Sequence, residues 1–322
     1  MPDTDIAKES FSSAAPLEFQ IPYTALPERL DKVLARLVAD HSRSRLQGWI
    51  EAGHVLVNGQ PGRIKQMANP GDKLLVYEQA APESQAFTPQ DVDFTTLDES
   101  PDWIVVCKPA GLVTHPGAGN WQGTLLNGLL YRYPELARVA RAGIVHRLDK
   151  DTSGLLVVAR HEKAQTHLIR QLQARSVSRE YIALVHGRLT RPGTVRLDIG
   201  RDPRVPVRMA VENPIAPKPA ITHYTPLRVG QAAPGEGATV TQVACKLETG
   251  RTHQIRAHMM SLRHPLVGDA LYGGRSVGGA QRQLLHARAL AFDDFSSGGR
   301  VSFQAPLAED FQRVLDGIEW EE

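Results

Sequence analysis

The run Gly143-Ile144-Val145-His146-Arg147-Leu148-Asp149-Lys150-Asp151-Thr152-Ser153-Gly154-Leu155-Leu156-Val157-Val158-Ala159 decides how the second half of this chain folds. It starts apolar, crosses a dense polar patch, turns at Gly154 and ends in an apolar segment too short for a helix, as a buried strand entering a sheet does. The polar patch is therefore expected at a sheet edge or on the floor of a cleft. If the backbone is extended around Asp149, the two-residue period puts Arg147 and Asp149 on one face and Leu148 on the other. A carboxylate is then held beside a guanidinium. An exposed loop with an ordinary ion pair would carry the same residues, so the rest of the chain has to separate the two readings.

With 322 residues and 42% apolar side chains, the chain is long enough for two domains with sizeable cores. No apolar run approaches the roughly 20 residues that span a bilayer, and an amino terminus bearing Asp3, Asp5 and Glu9 does not read as a signal peptide. A cytoplasmic protein with no membrane partner is expected. Cys107 and Cys245 stand far apart in apolar runs, where they read as small core residues rather than a disulfide or a metal pair. A net charge of +2 is too mild to establish a nucleic-acid partner.

Four segments are expected: a flexible tail over residues 1–20, a small module over 21–79, a linker over 80–93 and a large domain over 94–322. In the module, Leu30, Val33, Leu34, Leu37 and Val38 recur at helical spacing, and a second short helix runs through Leu46, Trp49 and Ile50 with Ser42 or Ser44 as its cap. His54 to Gly59 reads as a strand entering a turn, with Gly71 to Tyr77 as its partner. The linker is rich in Ala, Pro, Gln and Ser, and Pro82 and Pro89 interrupt any regular element, so the two domains are expected to move relative to each other. In the large domain the patterns predict strands at 103–107, 181–186 and 239–247 and helices at 166–174 and 252–262. Arg201 to Lys218 and Arg228 to Gly237 read as loops, the first basic enough to line an RNA channel. There is no fixed-period repeat and no Rossmann or P-loop glycine signature.

His146-Arg147-Leu148-Asp149 with Thr152-Ser153-Gly154 resembles the signature of the RNA pseudouridine synthases that modify ribosomal and transfer RNA. Further blocks fit that family in the same order: Lys108 to Val113, Gly123 to Asn127, Arg179 to Ala183, Gly250 to His258 and Gly268 to Gly274. The first module resembles the RNA-binding module named after ribosomal protein S4. The resemblance implies an α+β protein, in which an N-terminal S4-like αβ module precedes a large domain with a mixed, mainly antiparallel sheet flanked by helices around a central cleft. It implies RNA as partner, in the form of large-subunit ribosomal RNA, with transfer RNA or dual specificity as the alternative.

The same resemblance supplies roles. Asp149 matches the catalytic aspartate, Arg251 the arginine that pairs with it, and Tyr181 the active-site tyrosine whose ring stacks on uracil and whose hydroxyl is a candidate base. Arg147 matches a residue that helps fill the space a flipped nucleotide leaves, and Lys108 is placed near the cleft as a substrate-binding residue. Arg29, Arg43, Arg45, Arg63 and Lys65 are expected to track the RNA backbone from the S4-like module, although a solvated charged face would look alike. Conversion of uridine to pseudouridine is an isomerisation, so neither a cofactor nor a metal is expected. A metal-dependent hydrolase built on His146, Asp149, Asp151, His253, His258 and His264 fits poorly, because His253 and His258 are five residues apart, off the face a helical metal pair needs. A non-catalytic ribosome assembly factor would keep the RNA-binding module but would not need Asp149, Tyr181 and Arg251 together.

Overall fold

A computed structural model describes residues 15–79, 85–117, 119–232 and 237–321, and the chain divides into two units, Met1–Ser84 and Gln85–Glu322. The first unit contains strands β1 (Leu17–Gln20) and β2 (Glu28–Arg29), helices α1 (Leu30–Leu37) and α2 (Arg43–Glu51), and strands β3 (Val55–Val57), β4 (Gln60–Pro61), β5 (Met67–Ala68) and β6 (Lys73–Val76). Its four-stranded sheet runs β1-β6-β3-β4 and packs on the helices through Leu30, Leu34, Leu46, Ile50 and Leu74. Ser42 caps α2 by accepting a hydrogen bond from the Arg45 backbone N–H, as its position before the helix predicts.

Residues 17–20 of the expected tail form strand β1. Leu17 pairs with Val76 and Gln20 with Lys73, because the alternation Leu17-Glu18-Phe19-Gln20 lays two apolar side chains on the core. The expected tail up to residue 14 lies outside the described residues, as does the linker over 80–84. Residues 85–93 are no free linker. The buried side chain of Asn127 donates to the carbonyls of Ala86 (3.2 Å) and Thr88 (2.9 Å), and the Gly123 N–H donates to Gln90 Oε1 (2.7 Å).

In the first unit the buried Asp31 carboxylate accepts hydrogen bonds from Arg29 (3.1 Å), Arg43 (3.1 Å) and Gln47 (2.7 Å). Burial alone would raise its pKa from 3.8, yet the bonds from Arg43, Gln47 and Arg29 pull it down to about 2. A carboxyl depressed on folding stabilises the unit above its unfolded pKa, and that contribution is lost as pH falls toward 2. Asp31→Asn should therefore lower the unfolding midpoint of the unit at neutral pH and flatten its acid sensitivity. Denaturant melts of both proteins between pH 2 and 6 measure this; parallel curves at every pH would remove Asp31 as the cause.

The second unit contains strands β7 (Thr95–Glu99), β8 (Trp103–Lys108), β9 (Ser153–Ala159), β10 (Ser178–His186), β11 (Gly193–Arg196), β12 (Ile199–Arg201), β13 (Met209–Ala210) and β14 (Ile215–Lys218). Strands β15 (Ile221–Gln231), β16 (Thr239–Leu247), β17 (Leu285–Asp293), β18 (Arg300–Gln304) and β19 (Glu319–Trp320) complete it, with helices α3 (Leu125–Arg132), α4 (Glu162–Gln173), α5 (Gln254–Ser261) and α6 (Glu309–Asp316). Ten strands form one sheet with the central order β11-β15-β16-β10-β17-β9-β8-β7, β18 beside β17 and β19 beside β15. Every pairing is antiparallel except that of β9 with β17. Gly154 lies at this seam with φ of +113°, and a Cβ there would stand 2.2 Å from the Ala287 carbonyl oxygen. Only glycine fits that close approach.

The segment 201–218 departs from the loop reading. Strands β12, β13 and β14 make a separate three-stranded sheet, in which Arg201 donates to the Pro206 carbonyl and Arg208 pairs with Asp202. Both arginines are engaged in holding their own hairpins. Cys245 is buried and Cys107 half-buried, and both thiols are free.

Candidate active site

Asp149 stands on a turn fixed from several sides. The Thr152 N–H closes the turn on the Asp149 carbonyl at 3.1 Å, and Thr114 Oγ1 donates to the Leu148 carbonyl at 2.8 Å. Just upstream, His146 Nε2 accepts from the Val157 N–H of β9 at 3.1 Å. Burial, with repulsion from Arg179 and His115, pushes the His146 pKa down to about 3, so this ring is neutral and acts as a fixed acceptor.

Lys108 does not bind substrate from this position. Its side chain is fully buried, and Nζ donates to the carbonyls of Pro109 (2.8 Å), Leu112 (2.8 Å) and Lys150 (2.9 Å), tying the turn after β8 to the turn that carries Asp149. Burial, opposed by Asp151 and Asp149, lowers its pKa to about 7. Three carbonyl acceptors around the ammonium satisfy all its donors, which is why a buried lysine is tolerated here.

The side chain that pairs with Asp149 is Arg256, not Arg251. Arg256 Nη1 donates to Asp149 Oδ2 at 3.0 Å, while its Nε and Nη2 clamp Asp269 at 2.6 and 2.9 Å. Burial would lower the Arg256 pKa, but Asp269 and then Asp149 raise it, so the guanidinium stays charged. Arg251 lies before α5, exposed, with Nε donating to the Pro219 carbonyl at 3.1 Å. The sequence block 250–258 holds both arginines, and the one inside the helix, between the buried Ile255 and Ala257, is the one that has to face a carboxylate.

Asp149 opens on a cleft of about 960 Å³ lined by Arg147, Tyr181, Leu247, Arg251 and Arg256 among others. Tyr181 reaches it from β10, where the pairing to β17 slips by one residue between Glu180 and Tyr181, the kind of bulge that re-aims a side chain. Burial raises the phenol pKa against the opposing Arg179, so Tyr181 presents a ring and a protonated hydroxyl rather than a standing base. Arg147 is exposed at the cleft. Arg179, to which the sequence assigns no role, is buried on the same wall and donates from Nη2 to the Glu248 carbonyl at 3.2 Å.

Of the histidines considered as metal ligands, His258 is engaged by Thr222 Oγ1 (2.8 Å) and the Leu197 carbonyl (3.0 Å), and His264 by the His186 carbonyl (2.7 Å). His253 Nε2 is 3.9 Å from Asp149 Oδ2, and burial lowers its pKa. No group of three or more His, Cys, Asp or Glu side chains able to hold a metal occurs among the described residues. No helix among them is long and apolar enough to cross a membrane.

The basic residues of the first unit are held in different ways. Arg29 and Arg43 fork onto Asp31 with about 40% of each side chain exposed (39% and 46%), Arg45 donates to the Gln79 carbonyl, and Arg63 and Lys65 are exposed.

Residues 102–261 match the RNA pseudouridylate synthase family, and residues 28–74 match the S4 domain. Over 99% of this chain and 87% of the relative, it is 44% identical to ribosomal large subunit pseudouridine synthase D of Neisseria meningitidis serogroup B. The protein of the same name from Pseudomonas aeruginosa is 44% identical over 92% of this chain and 93% of its own. Among solved structures, human RNA pseudouridylate synthase domain containing 1 superposes with a TM-score of 0.56 and 28% identity, over 76% of this chain and 91% of that one.

Proposed function

The chain belongs to the RNA pseudouridylate synthase family, and we propose that it converts specific uridines of large-subunit ribosomal RNA to pseudouridine, using Asp149 as the attacking carboxylate. Two relatives with near-full coverage carry a large-subunit ribosomal name, which supports that substrate over transfer RNA. With such a substrate the enzyme works where ribosomes are made, in the cytoplasm.

In the reaction the bond between ribose C1′ and uracil N1 breaks, the base turns in place, and C1′ bonds to C5; C5 gives up its proton and N1 gains one. Nothing is oxidised or consumed. The observation that carries the assignment is the Asp149 carboxylate, bridged by Arg256 and open to a cleft large enough for a nucleotide. A carboxylate there can attack an electron-poor carbon of the nucleoside and later leave. Arg256, anchored by Asp269, holds it in the productive position without competing for the proton. Tyr181 offers a ring for the uracil, and Arg147 occupies the space left in the helix, offsetting a few kcal/mol of unstacking.

The S4 domain supplies phosphate contacts, with Arg29, Arg43, Arg45, Arg63 and Lys65 as the cations. The test is to map pseudouridines in ribosomal RNA from cells with and without the protein. Sites that vanish in its absence and return with the wild-type protein are expected; an unchanged map of large-subunit RNA would overturn the substrate assignment.

A further inference from the structure

One edge of the cleft is built from aromatic rings that neither the core nor the chemistry uses. Phe87 is 62% exposed, and Trp121 is half-buried; both line the cleft that holds Asp149. An exposed Phe in a segment rich in Ala, Pro and Gln contributes little to folding, and large apolar side chains left in water at a cleft mark a contact site. The segment nevertheless is tightly held. The Asn127 side chain donates to the carbonyls on both sides of Phe87, those of Ala86 and Thr88, and Ala86 itself is buried. Gln122, next to Trp121, donates to the Gln85 side chain, and the Gly123 N–H donates to Gln90. These bonds fasten the backbone while leaving the Phe87 ring outside, and they bring the two aromatic segments together.

Arg141 and Arg147 stand exposed on the same cleft. Aromatic faces interleaved with arginines are what an unpaired nucleic-acid strand requires, since each base has a face to stack and each phosphate a charge to neutralise. A paired helix offers its bases to no such surface.

We propose that Phe87 and Trp121 form a stacking edge for the unpaired bases flanking the flipped uridine, so that the cleft selects uridines in loops over uridines in helices. This rests on the reading that the cleft receives a flipped uridine. It assigns to the segment before β7 a part in choosing substrate.

The experiment uses full-length protein and an RNA hairpin carrying a mapped target uridine in its loop, in two forms: with its natural flanking bases and with abasic sites at both flanking positions. Phe87→Leu and Trp121→Leu, which keep apolar bulk but lose the stacking face, should each raise KM for the natural hairpin roughly tenfold, within the range of base stacking, with a much smaller change in the single-turnover rate at saturating RNA. On the abasic hairpin, wild type and variants should share the same raised KM. Phe87→Tyr should restore binding of the natural hairpin. Thermal melts confirm that each variant is folded; Phe87 is exposed, so its variants are expected to match wild type. An unchanged KM in both Leu variants, or an equal penalty on natural and abasic RNA, would overturn the stacking edge while leaving the proposed activity standing. Failure of the wild-type protein to modify the hairpin at all would instead overturn the reading of the cleft, and the edge with it.

Discussion

Asp149→Asn is expected to bind RNA with nearly unchanged affinity and to lose pseudouridine formation by at least about 1,000-fold, the scale on which removal of a nucleophile acts. The substitution keeps the shape of the side chain, and the turn that presents it is held by Thr152, Thr114 and Lys108 through main-chain atoms that the change does not touch. Arg256 also keeps its two bonds to Asp269. Release of tritium from RNA labelled at uridine C5 follows the chemistry directly, and a filter-binding titration follows affinity. Residual activity within tenfold of wild type would remove Asp149 as the reacting group.

Arg256→Leu should be the most damaging change outside Asp149 itself. It strips the guanidinium from two carboxylates at once, leaving Asp269 buried without its partner; breaking such a pair costs about 3–5 kcal/mol. The single-turnover rate should fall at least about 100-fold, and the melting temperature should drop by several degrees. Arg256→Lys should recover part of the stability and little of the rate, because an ammonium cannot make the forked bond to Asp269 while reaching Asp149. Arg251→Leu provides the contrast: exposed and bonded to a main-chain carbonyl, it should alter RNA affinity more than rate or stability. If Arg251→Leu proves the more severe of the two in single turnover, the pairing of Asp149 with Arg256 is not what sustains the reaction.

The turn at Asp149, the strands flanking it and the S4-like helices were legible because each depends on a local pattern: a two-residue or 3.6-residue apolar period closed by polar or glycine residues. Strand β16 matches its predicted span, and β10 extends three residues further back than predicted. Arg256 was not legible, for a physical reason. All of Ile255, Arg256, Ala257, His258 and Met259 are buried, so α5 has no polar face to indicate where its arginine points, and the anchoring Asp269 lies thirteen residues on. Strand β1 escaped because four residues give too short an alternation to rise above its polar flanks. The segment 85–93 reads as a linker because its composition is that of one; what orders it is hydrogen bonding to the buried Asn127 on α3 and to Gln122 and Gly123 before it. The burial of Lys108 escapes the sequence for the opposite reason, since a cation beside a cleft is ordinarily exposed.

Every other lysine among the described residues is exposed, whereas the Lys108 amine is enclosed by three carbonyls and carries a pKa of about 7. An amine-acylating reagent at neutral pH will therefore distinguish this residue from its fellows by access alone. While the turn before β9 stays closed, Lys108 is protected; whenever the turn opens, its amine is solvated and reacts as an ordinary surface lysine does. The rate of its labelling is thus a built-in clock for local opening of the segment that carries Asp149, readable by mass spectrometry without attaching any probe.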